Sequence, residues 1–135
     1  MDSPYRFSGT VIKGNQLGRT IGYPTANLLP ETTLSLPLKY GVYAAHVTVN
    51  NHLYPGMANV GVRPTLGQHQ LTIEINIFDF NEDIYGEKIT VSFYDFIREE
   101  RKFPGLDALK EQIRKDEILI REILSGRVHP DPDTQ

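Results

Sequence analysis

Apolar and polar residues alternate along most of this chain, and the alternation gives way to another period only near its end. Residues 71–80 are the clearest case, with Leu71, Ile73, Ile75 and Ile77 on one face and Thr72, Glu74 and Asn76 on the other. Side chains two apart share a face of an extended strand, so this stretch predicts a half-buried strand. Residues 41–49 alternate as well, and Asn50-Asn51-His52 supplies a tight turn into a further strand over 53–60. Gly61-Val62-Arg63-Pro64-Thr65 then reads as a loop. Residues 5–13 collect β-formers around Gly9, which marks a bulge or bend. After a turn at Asp83-Ile84-Tyr85-Gly86, residues 87–97 set Ile89, Val91 and Phe93 inward.

From Leu106 the period becomes helical: Leu106, Leu109, Ile113, Ile120 and Leu124 form one stripe, with Lys110, Glu111, Arg114 and Lys115 largely elsewhere. Gly105 is an acceptable N-cap, Asp107 suits the first turn, and Gly126 is expected to close the helix. Residues 127–135, with Pro130 and Pro132, are expected to form a disordered tail. Residues 28–39 carry Pro30 and Pro37 and no period, which predicts an irregular surface excursion of the kind that serves as a lid. Five or six short strands followed by one helix predict a mainly β fold, a closed antiparallel barrel with the helix packed outside. One domain spans 1–126.

Composition narrows the chemistry. The 135 residues are enough for a single domain with a real core. Cysteine is absent, which removes disulfides, zinc–thiolate sites and thiol catalysis together. The four histidines lack metal-ligand spacing. A net charge of −3 gives no general footprint for nucleic acid, and a nucleic-acid-binding barrel would need a basic face with exposed aromatics. No apolar run is long enough to span a membrane and the start has no signal-peptide character, so no membrane partner and a cytoplasmic location are expected.

The candidate chemistry is concentrated in residues 14–27, Gly-Asn-Gln-Leu-Gly-Arg-Thr-Ile-Gly-Tyr-Pro-Thr-Ala-Asn. Glycines let backbone N–H groups approach a ligand closely, and Arg19 adds a planar charged fork, so Gly14, Gly18 and Arg19 suit a phosphate. Pro24 sends the chain out extended, which puts the Thr25 hydroxyl and the Asn27 amide on one face. Two neutral oxygens beside a phosphate cradle suit Mg²⁺, a hard cation that takes few protein ligands alongside a nucleotide. A glycine-rich turn closing on proline is also common in β proteins with no ligand. The stretch is not a Walker loop, because no Gly-Lys-Ser/Thr follows and the next segment is not helical.

Gly-x-x-x-Gly-Arg-x-x-Gly-x-Pro-Thr-Ala-Asn over 14–27 resembles the signature of riboflavin kinases, in the bacterial form that is usually the C-terminal module of a bifunctional riboflavin kinase/FAD synthetase. The likeness extends to Glu74 in Thr-Ile-Glu-Ile-Asn-Ile-Phe-Asp-Phe, to the turn Asp83-Ile84-Tyr85-Gly86 and to residues 98–103 before the helix. It implies a six-stranded Greek-key barrel with a C-terminal helix, and Mg²⁺-dependent transfer from ATP to riboflavin giving FMN and ADP. By that resemblance Gly14, Gly18 and Arg19 hold phosphates, Thr25 and Asn27 hold the metal, and Glu74 is the catalytic base. Tyr85 touches adenine, while Arg98, Arg101 and Phe103 face the flavin. Asn59 and Gly61 fall in a loop near the nucleotide.

On the residues alone, Glu74 reads as an ordinary solvent-facing carboxylate, Tyr85 as packing on the barrel, and Arg98-Glu99-Glu100-Arg101-Lys102 as a solvated charge run. The loop carries Asn15, Gln16 and Leu17, fewer glycines than the animal enzymes have. Bifunctional relatives add an N-terminal adenylyltransferase domain, whose dinucleotide-fold pattern and His motif are not found in these residues. The expectation is therefore a kinase without FAD synthesis, either stand-alone or a module linked to that domain in a longer protein. The alternative is a flavin- or FMN-binding barrel without catalysis.

Overall fold

The computed structural model describes residues 5–12, 25–30, 39–65, 68–80 and 82–128. Six strands and a helix follow one another: β1 (Tyr5–Ile12), β2 (Ala26–Pro30), β3 (Gly41–Val49), β4 (His52–Thr65), β5 (Gln68–Ile77), β6 (Lys88–Glu99) and α1 (Leu106–Val128). The strands close into a barrel in the order β1-β2-β5-β4-β3-β6, every pairing antiparallel. β3, β4 and β5 form a meander, and β2 and β6 return to flank it, which is the expected Greek key.

The alternation seen in the sequence decides what lies inside. Ile73, Ile75 and Ile77 of β5 join Ala58 and Val60 of β4, Ala45, Val47 and Val49 of β3, and Ile89, Val91 and Phe93 of β6 in the buried interior. Phe93 anchors it, meeting Phe7 and Tyr43 edge-on at centroid distances of 5.7 and 5.4 Å. The β3–β4 hairpin turns on Asn50 and Asn51 at φ 50° and 68°, a left-handed pair that asparagine tolerates and that matches strand twist.

A second, smaller core lies outside the barrel. Val42 and Ala44 of β3, Met57 of β4 and Phe78 are buried beneath Ile120 and Leu124 of α1, with Ile113 and Ile123 beside them. The helix starts as read, since the Leu109 N–H donates to the Gly105 carbonyl at 3.2 Å. Its apolar face differs from the predicted stripe at both ends. Leu106 is exposed, because the first turn projects past the wall that the later residues cover. Gly126 does not close the helix, which runs through it to Val128 without a left-handed residue. Arg127 and Val128, read as tail, are therefore helical, and residues 129–135 lie outside the described residues.

Three strand assignments also change. Ala26–Pro30 is strand β2, where 28–39 was expected to be irregular; proline is tolerated at a strand's end, and β1 and β5 pair on either side. Residues 61–65, read as a loop, continue β4 in unbroken register with β5. Gly9 is neither bulge nor bend, because β1 pairs through it with both β2 and β6. Its missing side chain instead lets the strands close up: a Cβ there would run into the Leu29 carbonyl oxygen and the Leu28 side chain. Gly9→Ala is expected to destabilise the fold by about 1–3 kcal/mol, the usual range for overpacking, read as a lowered urea midpoint with an unchanged slope.

Candidate active site

Interior packing fixes what faces outward. Ile73 and Ile75 point into the barrel, so Glu74 between them points out; Ala26 and Leu28 do the same for Asn27, and Ala58 and Val60 for Asn59. The ladder then sets these residues side by side. Asn27 of β2 pairs with Glu74 of β5, Glu74 with Asn59 of β4, Asn59 with Val42 of β3, and Val42 with Arg98 of β6. One row of the outer wall thus reads Asn27, Glu74, Asn59, Val42, Arg98. With strands about 4.8 Å apart, Glu74 and Arg98 stand roughly 14–15 Å from each other along it.

At one end of the row the Thr25 hydroxyl lies 3.4 Å from Glu74 Oε1 and donates toward it. Asn27 is 7% exposed and Glu74 half-buried, so the group is partly withdrawn from water yet open on one side. Hydroxyl, amide and carboxylate offer hard oxygens, the donor set that Mg²⁺ prefers.

In the middle of the row, Asn59 Oδ1 is buried and has no hydrogen-bond partner among the described residues. Beyond it Gly61, also facing out, leaves space for the Glu100 carboxylate, whose Oε1 would lie 2.6 Å from an added Cβ. Both residues sit in strand β4, not in the loop that was expected.

At the far end Arg98 reaches α1. Its Nε donates to Asp116 Oδ1 and Oδ2 at 3.1 and 2.9 Å, and its Nη2 to Oδ2 at 2.9 Å. Asp116 is 2% exposed and also accepts from Gln112 Nε2 at 2.9 Å, while Arg101 Nη2 donates to Gln112 Oε1 at 3.1 Å. The Phe103 ring lies 5.7 Å from the Arg98 guanidinium carbon and 5.1 Å from that of Arg101. Arg98 and Arg101 are thus tied to α1 and Phe103, while Glu99, Glu100, Arg101 and Lys102 remain exposed as a charged run would be.

Tyr85 stands at the rim. It is exposed, and its N–H donates to Asp83 Oδ1 at 3.0 Å. The neighbouring Gly86 N–H donates to the Val11 carbonyl at 2.8 Å, so this turn is fastened to the end of β1.

The profile of the flavokinase family, described as riboflavin kinase, matches residues 1–124. The chain belongs to the riboflavin kinase family. Among curated members it is 49% identical over 110 residues to an RNA-binding riboflavin kinase of Bacillus subtilis, covering 81% of this chain and 46% of that protein. It is 44% identical over 119 residues to the bifunctional riboflavin kinase/FMN adenylyltransferase of the same organism, covering 86% of this chain and 37% of that one. The chain therefore spans less than half the length of these relatives. A riboflavin kinase structure from Trypanosoma brucei, 27% identical, superposes with a TM-score of 0.66 over 91% of this chain and 81% of that one.

Within this barrel, the residues singled out in the sequence fall into three groups. Thr25, Asn27 and Glu74 come together. Arg98, Arg101 and Phe103 also come together, but on α1's side of the wall. Gly14, Gly18 and Arg19 lie outside the described residues. Sequence reasoning missed Asp116. The one signal for it was an acidic residue inside the apolar stripe between Ile113 and Ile120.

The Arg98–Asp116 pair makes a stability test. Asp116→Ala strands a guanidinium whose side chain is 18% exposed, and the expected loss is about 3–5 kcal/mol. Replacing both partners with apolar residues of similar volume is expected to recover most of it, since breaking a buried pair is worse than removing it. Urea unfolding of the single and double variants reads the difference.

Proposed function

We propose that the chain is a riboflavin kinase that transfers the γ-phosphoryl group of ATP to the 5′-hydroxyl of riboflavin, giving FMN and ADP with Mg²⁺. One observation carries the reading: the Thr25 hydroxyl of the nucleotide side lies 3.4 Å from the Glu74 carboxylate of the acceptor side. Phosphoryl transfer needs positioning and charge neutralisation more than covalent chemistry, and it needs a base within reach of the attacking alcohol.

Thr25 and Asn27 would hold Mg²⁺, which supplies charge neutralisation on the phosphates when bound. Glu74 accepts the proton of the 5′-hydroxyl as that oxygen bonds to the γ-phosphorus and the bond to the ADP oxygen breaks. Gly14, Gly18 and Arg19 take the phosphates, and Tyr85 at the rim takes the adenine. Phe103, with Arg98 and Arg101 on its ring, takes the isoalloxazine at the far end of the row.

We also infer from the bifunctional relatives that the chain works joined to an adenylyltransferase domain that converts its FMN to FAD. No described helix is long and apolar enough to cross a membrane.

Incubation with riboflavin and Mg-ATP, followed by chromatography, is expected to yield FMN; binding without turnover would leave only a flavin-binding barrel. Glu74→Gln is expected to retain riboflavin binding while kcat falls roughly 10²–10⁴-fold, and near-normal kcat would remove Glu74 from the mechanism. Thr25→Ala and Asn27→Ala are each expected to raise KM for Mg-ATP, with partial rescue by added Mg²⁺.

A further inference from the structure

We infer that Asn59 is a riboflavin-binding residue whose side-chain oxygen accepts a hydrogen bond from a secondary hydroxyl of the ribityl chain. The assignment rests on the kinase reading above and goes beyond it by naming what recognises the polyol. Three observations support it.

The first is the vacancy in Asn59's own bonding. Its Oδ1 is buried and has no partner among the described residues. A buried acceptor left unmade destabilises the resting protein, and such groups are rare enough in folded proteins to require a reason. A ligand that brings a donor is such a reason.

The second is position. Asn59 is the direct strand partner of Glu74 and lies on the same outer face. Side chains of directly opposed residues start about 4.5–5.5 Å apart, so a polyol hydroxyl held at Glu74 has its near neighbours within reach of Asn59. A flavin whose 5′-hydroxyl meets Glu74 lays the adjoining ribityl hydroxyls against Glu74's neighbours on the same outer face. On the β4 side that neighbour is Asn59; beyond it Val42 is covered by α1.

The third is the chemistry of the neighbours. Glu74 on one side and the Glu100 carboxylate lying on Gly61 on the other are acceptors, as is Asn59 Oδ1. A wall of acceptors calls for a ligand rich in donors. A polyol fits, whereas the polyphosphate of a nucleotide, itself made of acceptors, does not.

The test compares wild type with Asn59→Ala by fluorescence quenching of riboflavin and of lumiflavin, which has the same ring and no ribityl chain. Asn59→Ala is expected to weaken riboflavin binding about 5–20-fold, one to two ordinary hydrogen bonds' worth, and to leave lumiflavin binding and KM for Mg-ATP unchanged. Its unfolding temperature is expected to equal or exceed that of wild type, because an unpaired buried acceptor has been removed. Equal losses for both flavins, or a rise confined to the Mg-ATP KM, would overturn the assignment. So would a less stable or unfolded variant, which would make Asn59 a structural residue. Wild type that binds no riboflavin would instead overturn the kinase reading itself.

Discussion

The position of β5 between β2 and β4 is the constraint on which the site depends. Because strand side chains alternate, a slip of one residue in either pairing would carry Glu74 into the barrel and push Ile73 and Ile75 into water. The interior prevents this, since Ile73, Ile75, Ala58, Val60 and Leu28 are buried against one another and leave no room for a carboxylate. Burying an unpaired charge would be far more costly than any strand pairing returns. Aliphatic packing on the inner face thus sets which side chains the outer face presents. Closure of the barrel adds to this, because the five-residue β2 that carries Asn27 has a partner on each side and no free edge.

Much of this was legible in the sequence wherever alternation was strong. β3, β5 and β6 and their inward residues follow from period two alone, and the helix follows from its period of 3.6. What was hidden was hidden by residue types whose local preference differs from their tertiary use. β2 is short and bounded by Pro24 and Pro30, so it looked irregular; two flanking strands hold it extended regardless. Gly61 and Pro64 suggested a break in β4, yet Gly61 is where the Glu100 carboxylate comes down on the sheet. Asn59, inside the strand read over 53–60 but put in a loop by the family resemblance, proved to be Glu74's neighbour.

The two ends of the row could not have been read equally well, because they are held by different physics. Asn27 and Glu74 are placed by backbone ladders, whose register is written in nearby residues, and Thr25 stands just before β2 with its hydroxyl toward Glu74. Arg98, Arg101 and Phe103 are placed by α1, through an aspartate that precedes no motif and interrupts an apolar stripe. Only three-dimensional contact explains Asp116.

A charge pair buried at that position is a poor source of stability, since desolvation offsets most of its attraction. Hydrophobic residues would join β6 to α1 at least as firmly. They would not fix direction. Two oxygens of Asp116 receiving three contacts from Arg98 leave the guanidinium plane little freedom, and Gln112 carries the same orientation to Arg101. Phe103 is then held between two oriented cations at a fixed place on the wall. Apolar contact would have allowed the segment after β6 to slide along α1, changing the distance from its aromatic ring to Glu74. The buried pair makes the place of Phe103 beside α1 a property of the fold.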